Sequence, residues 1–161
     1  MNPVIARITY RALLGRRRVL LLALLPIVLL LLAVASRAGN GNATENLLDH
    51  FGVTALLPLV ALIVGTGVLG AELEDGTAIY LLATPTPRST IVTTKFVVAA
   101  MVTVAFTAIP EFLAGLIAFP GRTRLSLAYA VGAAVGAVVY VAIFLALSVA
   151  TRRAMAVGLI Y

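Results

Sequence analysis

The sequence has no cysteine and no tryptophan, and it has a single histidine, His50. Without cysteine there can be no disulfide and no thiolate metal site. One histidine cannot build a histidine cluster, and His50, next to Asp49, reads as a surface side chain. Charge is scarce as well: 11% of the 161 residues are charged, against about 25% in a soluble domain. Only six residues are acidic. No G-x-x-x-x-G-K-[ST] occurs, so the chain carries no P-loop. These absences leave little to build a soluble catalytic centre from.

What is present is apolar. Hydrophobic residues make up 62% of the chain, and the net charge is +6. In a soluble domain that charge would point to nucleic acid. Here the arginines sit in short segments between apolar runs, so anionic lipid headgroups are the expected partner and nucleic acid is not. The solvent is the bilayer, and backbone hydrogen bonds must close within helices. The expected fold is an all-α integral membrane protein.

Four stretches are long enough to span: 19–36, 51–71, 96–119 and 125–150. Only the third holds a charge, Glu111. The apolar run starting at 154 stops at Tyr161, too short to cross, and reads as the start of an incomplete span. The first span follows arginines, as a signal peptide would, but its apolar core exceeds the roughly 7–15 residues usual there.

Basic residues set the expected orientation. One side collects Arg7, Arg11, Arg16, Arg17, Arg18, Arg88, Lys95, Arg152 and Arg153; the other has Arg37, Arg122 and Arg124. Nine against three places the N-terminus and the 72–95 segment in the cytoplasm. Asn42, in an N-A-T triplet, then lies outside, where the match is too short to be read as a glycosylation site. Before the first span, residues 1–18 hold an expected interfacial helix from Pro3 to Arg18. Arg7, Arg11 and Arg18 fall within about 40° of one another, and Ile5, Ile8 and Ala12 lie on the other side. An ordinary positive-inside flank fits the same residues.

Two glycine patterns call for a decision. Gly65 to Gly70 reads G-T-G-V-L-G, a formal dinucleotide fingerprint. It lies inside an apolar span with acids after it, where no strand precedes it, so its glycines read as helix packing. Gly132 and Gly136 form a small-xxx-small pair in the fourth span, which suits close packing within one protomer or between two. Glu111 follows Pro110 deep in the third span. An acid there costs about 2.5–3.5 kcal/mol on insertion scales, so it needs a neighbour, a wet cavity or a proton. It reads as part of a translocation path or as a structural acid bonded to a neighbouring helix.

Between the second and third spans, Glu72, Glu74 and Asp75 stand at the C-terminal end of a helix, where negative charge is unfavourable. Gly76 breaks that helix, and Asp75 or Thr77 can cap a short second one, A-I-Y-L-L-A. The acids then also serve a helix N-terminus. Ile79, Tyr80, Leu81 and Leu82 would be poorly covered by this chain alone, which points to a docking surface.

This segment, E-L-E-D-G-T-A-I-Y-L-L-A-T-P-T-P-R-S-T-I-V-T-T-K, resembles the cytoplasmic loop of ABC transporter permeases of the type-two export family. The residues that carry the likeness are Glu74, Gly76, Thr77, Leu81, Leu82, Pro85, Arg88 and Lys95, with Glu72 and Asp75 beside them. The resemblance implies a cytoplasmic coupling helix docked on a separate ATP-binding subunit, which holds ATP and Mg; this chain would hold no cofactor and would be no enzyme. It also implies a second permease subunit, a cell-membrane location and six spans. Only four are complete here, so a C-terminal truncation is expected. The alternatives are a membrane scaffold or assembly protein, and a small ion- or proton-coupled transporter using Glu111.

Overall fold

The computed structural model describes residues 3–13, 15–37, 48–74 and 87–150, and all of its regular elements are helical. They are α1 (Pro3–Leu13), α2 (Arg16–Arg37), a π-helical segment (Leu48–Leu56) that runs on into α3 (Leu57–Glu74), α4 (Arg88–Ala118) and α5 (Thr123–Ala150). Helices α4 and α5 form the most extensive pair, α5 also packs along α3, and α2 packs chiefly on α4. Four stretches are long and apolar enough to cross a membrane: Val19–Ser36, His50–Val68, Ser89–Ala118 and Thr123–Ser148. The chain is thus an all-α integral membrane protein.

Its surface explains why the bilayer has to be the solvent. Helix α2 turns Leu22, Pro26, Leu29 and Ala33 inward. It leaves Leu20, Leu24, Ile27, Leu31 and Val34 exposed along the opposite face. Helix α5 exposes Leu127, Val131, Val135 and Val138 in the same way. A helix that is apolar all round, with half of that apolar surface uncovered, is unfavourable in water and suited to lipid.

The interfacial helix differs from the expected Pro3–Arg18. It ends at Leu13, and a break at Gly15 hands Arg16, Arg17 and Arg18 to α2. The Gly15 carbonyl accepts from the Val19 N–H at 3.0 Å, so the new helix begins there. Its packing face differs too. Ala6, Thr9 and Leu13, spaced one and two turns apart, meet the bundle, whereas Ile8 is 59% exposed. The helix packs against α4 and α3 on the side of Ala6, Thr9 and Leu13, and Ile8 of the expected apolar cluster lies off that side.

Helix α4 begins eight residues before the apolar stretch that announces it. Pro87 is its N-cap residue, in extended conformation with φ −60° and ψ 135°. Its carbonyl accepts from the Thr90 and Ile91 N–H groups at 2.9 and 3.4 Å. A proline at this position lacks only an N–H that no helix would use, and it disfavours helix in the residue before it. Arg88 and Lys95 therefore stand in the first two turns of α4. At about 46 Å, α4 is longer than the roughly 30 Å hydrocarbon layer.

The α4–α5 hairpin closes tightly. The Phe119 carbonyl accepts from the Arg122 N–H at 3.1 Å, across Pro120 and Gly121. Gly121 has φ +86°, the value a type II turn demands at its third position, with proline ahead of it. One turn below, a Cβ on Gly115 would stand 2.8 Å from the Ser126 Cβ, so only glycine allows this approach of the two helices.

Candidate functional site

The expected functional residues fall into two groups, at opposite ends of the α3–α4 pair. At one end, Glu72 and Glu74 occupy the last turn of α3, and Arg88 opens α4. Asp75, Gly76, Thr77, Leu81, Leu82 and Pro85, with the short helix expected there, lie outside the described residues. Lys95 is the anchor of this end. It is 1% exposed, and its ammonium donates to the Val68 carbonyl at 3.3 Å. Lys95, the last residue of the 72–95 segment expected to couple to the ATPase, is buried between helices. The cause is the early start of α4, which carries it two turns into the helix and onto α3.

This contact bears on the acids at the end of α3. The C-terminal half of a helix presents the negative end of its dipole, where a cation is stabilising. Lys95 supplies that cation from the neighbouring helix. A long aliphatic stem lets the amino group reach a carbonyl while its methylenes stay in apolar surroundings.

At the far end stands Glu111, 0% exposed. Neither carboxyl oxygen has a hydrogen-bond partner among the described residues. The space it occupies exists because residue 52 is glycine. A Cβ there would overlap the Glu111 carboxyl group itself. Gly52 belongs to the π-helical segment, and that segment gives way to α-helix at Leu57, beside Pro58. Pro58 has no N–H for the carbonyl four residues before it, so an uninterrupted α ladder cannot pass this point. A second proline, Pro110, precedes Glu111 inside α4 and removes the donor for the Phe106 carbonyl.

The two contacts share one register. Val68 and Gly52 are 16 residues apart (68 − 52), and so are Glu111 and Lys95 (111 − 95). The elements therefore run antiparallel with no slip between the two ends. From Lys95 through Glu111 and one turn beyond, α4 presents Lys95, Ala99, Thr103, Thr107, Glu111 and Gly115 at intervals of four, all buried. Residues spaced by four form a continuous ridge on a helix, the surface by which helices interlock. Thr103 donates to the Ala99 carbonyl at 2.9 Å and Thr107 to the Thr103 carbonyl at 2.8 Å. Both hydroxyls are thereby satisfied by their own helix and not by Glu111. Sequence reasoning missed the two threonines. Their spacing of four from Glu111 was the available signal.

The glycine pairs divide. Gly136 packs on Leu57, whose Cδ1 would lie 3.1 Å from an added Cβ. Gly132 is exposed and meets nothing within 4 Å among the described residues. Gly65, in the former fingerprint, packs against Phe144 of α5 at 2.9 Å from an added Cβ. That glycine serves helix contact inside α3, with no strand before it among the described residues.

Comparison with known proteins is consistent with this arrangement of elements. No match was found among curated proteins or among solved structures. Residues 14–160 match the model of a family described as "ABC-2 family transporter protein". With four spans and nearly its whole length matched, the chain belongs to that family and is a multi-pass membrane permease of an ABC transporter.

Proposed function

We propose that the chain forms part of the translocation path of an ATP-driven exporter and receives mechanical work from a separate ATP-binding subunit. The observation that carries this reading is the family match over residues 14–160. Hydrolysis, with ATP and Mg, takes place on the partner, and this chain performs no catalysis. The segment from Glu72 through Asp75, Gly76, Thr77, Leu81, Leu82 and Pro85 to Arg88 is the docking element. Lys95 is the link that passes its movement to α3 and α4, because it ties the first turns of α4 to the Val68 carbonyl. A second permease subunit completes the path.

The orientation belongs to the same proposal: N-terminus and docking segment in the cytoplasm, in the cell membrane, on the nine-to-three count of basic residues. Asn42→Cys should react with an impermeant thiol reagent on intact cells, and Thr86→Cys should not. The opposite pattern would invert the topology.

The coupling test uses the permease together with its ATPase. Leu81→Ala combined with Leu82→Ala should lower co-purification with the ATPase and uncouple hydrolysis from transport. Truncating a leucine in a packed core costs about 2–5 kcal/mol, and a docking cleft should give the lower part of that range. Membrane insertion should be unchanged, since both residues lie between the second and third long apolar stretches of the sequence. Unaltered association and transport would remove the docking role.

A second reading, ion- or proton-coupled transport through Glu111, is favoured by one observation, the lack of a hydrogen-bond partner for its buried carboxyl group among the described residues. Transport that continues without ATP would select it.

A further inference from the structure

Helix α1 does not seal against α4. Between them lies a cavity of about 520 Å³, open along one side. It is lined by Ala6, Arg7 and Tyr10 of α1 and by Val98, Met101, Val102, Ala105 and Phe106 of α4. Arg7 and Tyr10 are one helical turn apart and share a face. Both are exposed, and Arg7 makes no ion pair among the described residues. Met101 is 63% exposed. The cavity thus brings an exposed cation and a phenol of α1 together with apolar side chains of α4.

Its level in the membrane follows from α4. The outer end of that helix is pinned by the Pro120–Gly121 turn. A hydrocarbon layer of roughly 30 Å takes about 20 residues, which carries it from Ala118 back to the neighbourhood of Val98. The proposal seats Arg7 and Tyr10, which line the same cavity as Val98, at the headgroups. Met101, Ala105 and Phe106 stand within the hydrocarbon. The arginines that open α2 hold this end at the same interface.

We propose that this groove is a binding site for one anionic phospholipid of the leaflet that α1 lies on. Its phosphate sits on the Arg7 guanidinium, with the Tyr10 hydroxyl as a second donor, and one acyl chain lies along Val98, Met101, Ala105 and Phe106. Arginine suits this role because its planar fork offers two donors to a phosphate. A free phosphate would satisfy Arg7 and Tyr10 and leave the apolar side chains uncovered. A zwitterionic lipid would cover the apolar side chains and bring a competing cation to Arg7. The proposal is independent of the transport reading, because lipid retention is measured without ATP or a partner.

The test is native mass spectrometry of the full chain released from micelles that contain phosphatidylglycerol or phosphatidylcholine. Wild type should retain one phosphatidylglycerol and lose phosphatidylcholine. Arg7→Gln should weaken retention by about fivefold, the size expected for one cation at headgroup level. Arg124→Gln, an exposed arginine on the α5 side of the hairpin, removes the same charge far from the groove and should have no effect. Tyr10→Phe keeps the packing of α1 and should weaken retention less than Arg7→Gln. Ala105→Phe fills the groove and should abolish retention, and soluble glycerol phosphate should not bind. Equal retention by wild type, Arg7→Gln and Ala105→Phe would overturn the proposal. So would ready disulfide formation between two copies of Met101→Cys in place of lipid, since a second chain would then fill the groove.

Discussion

The antiparallel α3–α4 seam holds an ionisable side chain at each end, and the two are held in different ways. Lys95 has an acceptor, the Val68 carbonyl, and lies against the end of α3 where the dipole favours a cation. Glu111 is buried as deeply, yet both of its oxygens lack a partner among the described residues. What receives it is a vacancy in side-chain volume, made by Gly52. The lysine is positioned by attraction. The acid is positioned by shape. A polar group kept in hydrocarbon without a hydrogen bond works against stability, and such groups persist in membrane proteins chiefly where function uses them. This difference gives Lys95 a bonded place in the fold and makes Glu111 the candidate for a role in the proposed path.

The largest effect should come from removing the vacancy. Gly52→Leu places a whole side chain where the Glu111 carboxyl group lies, at a position with no free volume and no exposure. Overpacking of this kind costs about 1–3 kcal/mol and sometimes more, and the upper end is expected here. Unfolding of the purified chain in mixed micelles measures it. Pairing Gly52→Ala with Glu111→Ala sharpens the assignment. The double variant should be more stable than the two single effects added together, because the overlap exists only when both side chains are present. Strict additivity would mean that Gly52 is constrained by something other than Glu111.

How much of this was readable beforehand depends on the range of the interaction. The four spans are local, continuous apolar runs, and they stand in the structure near where composition places them. The start of α4 was harder. Ser89, Thr90, Thr93, Thr94 and Lys95 look like a loop by polarity, while Pro87 alone fixes the helix start. Polarity reports depth in the membrane, not helicity, and α4 continues as helix beyond the hydrocarbon. Ile8 shows a second limit. An amphipathic pattern states that two faces differ, but what α1 packs against decides which is covered. The Gly52–Glu111 contact is out of reach of any pattern, since it joins residues 59 positions apart (111 − 52) in different helices. The four-residue spacing of Thr103, Thr107 and Glu111 was within reach.

Breaking the other end should cost less than Gly52→Leu. Lys95→Met keeps a long flexible stem and removes the ammonium, so the Val68 carbonyl loses a charged donor. Hydrogen bonds to charged groups contribute roughly 1.5–3 kcal/mol, and the lower part of that range is expected because helical carbonyls retain their own ladder bonds. The same micelle unfolding assay reads it. A neutral result would show that Lys95 gains nothing from α3, and the contrast between the two ends would collapse.

The smallest effect on stability is expected at Glu111 itself. Glu111→Leu exchanges an unpartnered carboxyl group for an apolar side chain of similar size beside Gly52. Replacing a buried polar group that makes no hydrogen bond is close to neutral and often favourable, because the desolvation cost disappears and no bond is lost. A change between zero and about 1 kcal/mol toward greater stability is expected. Transport by the full permease with its ATPase should respond differently: Glu111→Leu should impair it, and Glu111→Gln, which retains polarity, should alter it less. Stability and activity would then move apart at this residue, while Lys95→Met moves stability first. A Glu111→Leu protein destabilised by 2 kcal/mol or more would reveal a bonded structural acid. One that is stable and fully active would remove Glu111 from the path and leave its vacancy at Gly52 as packing alone.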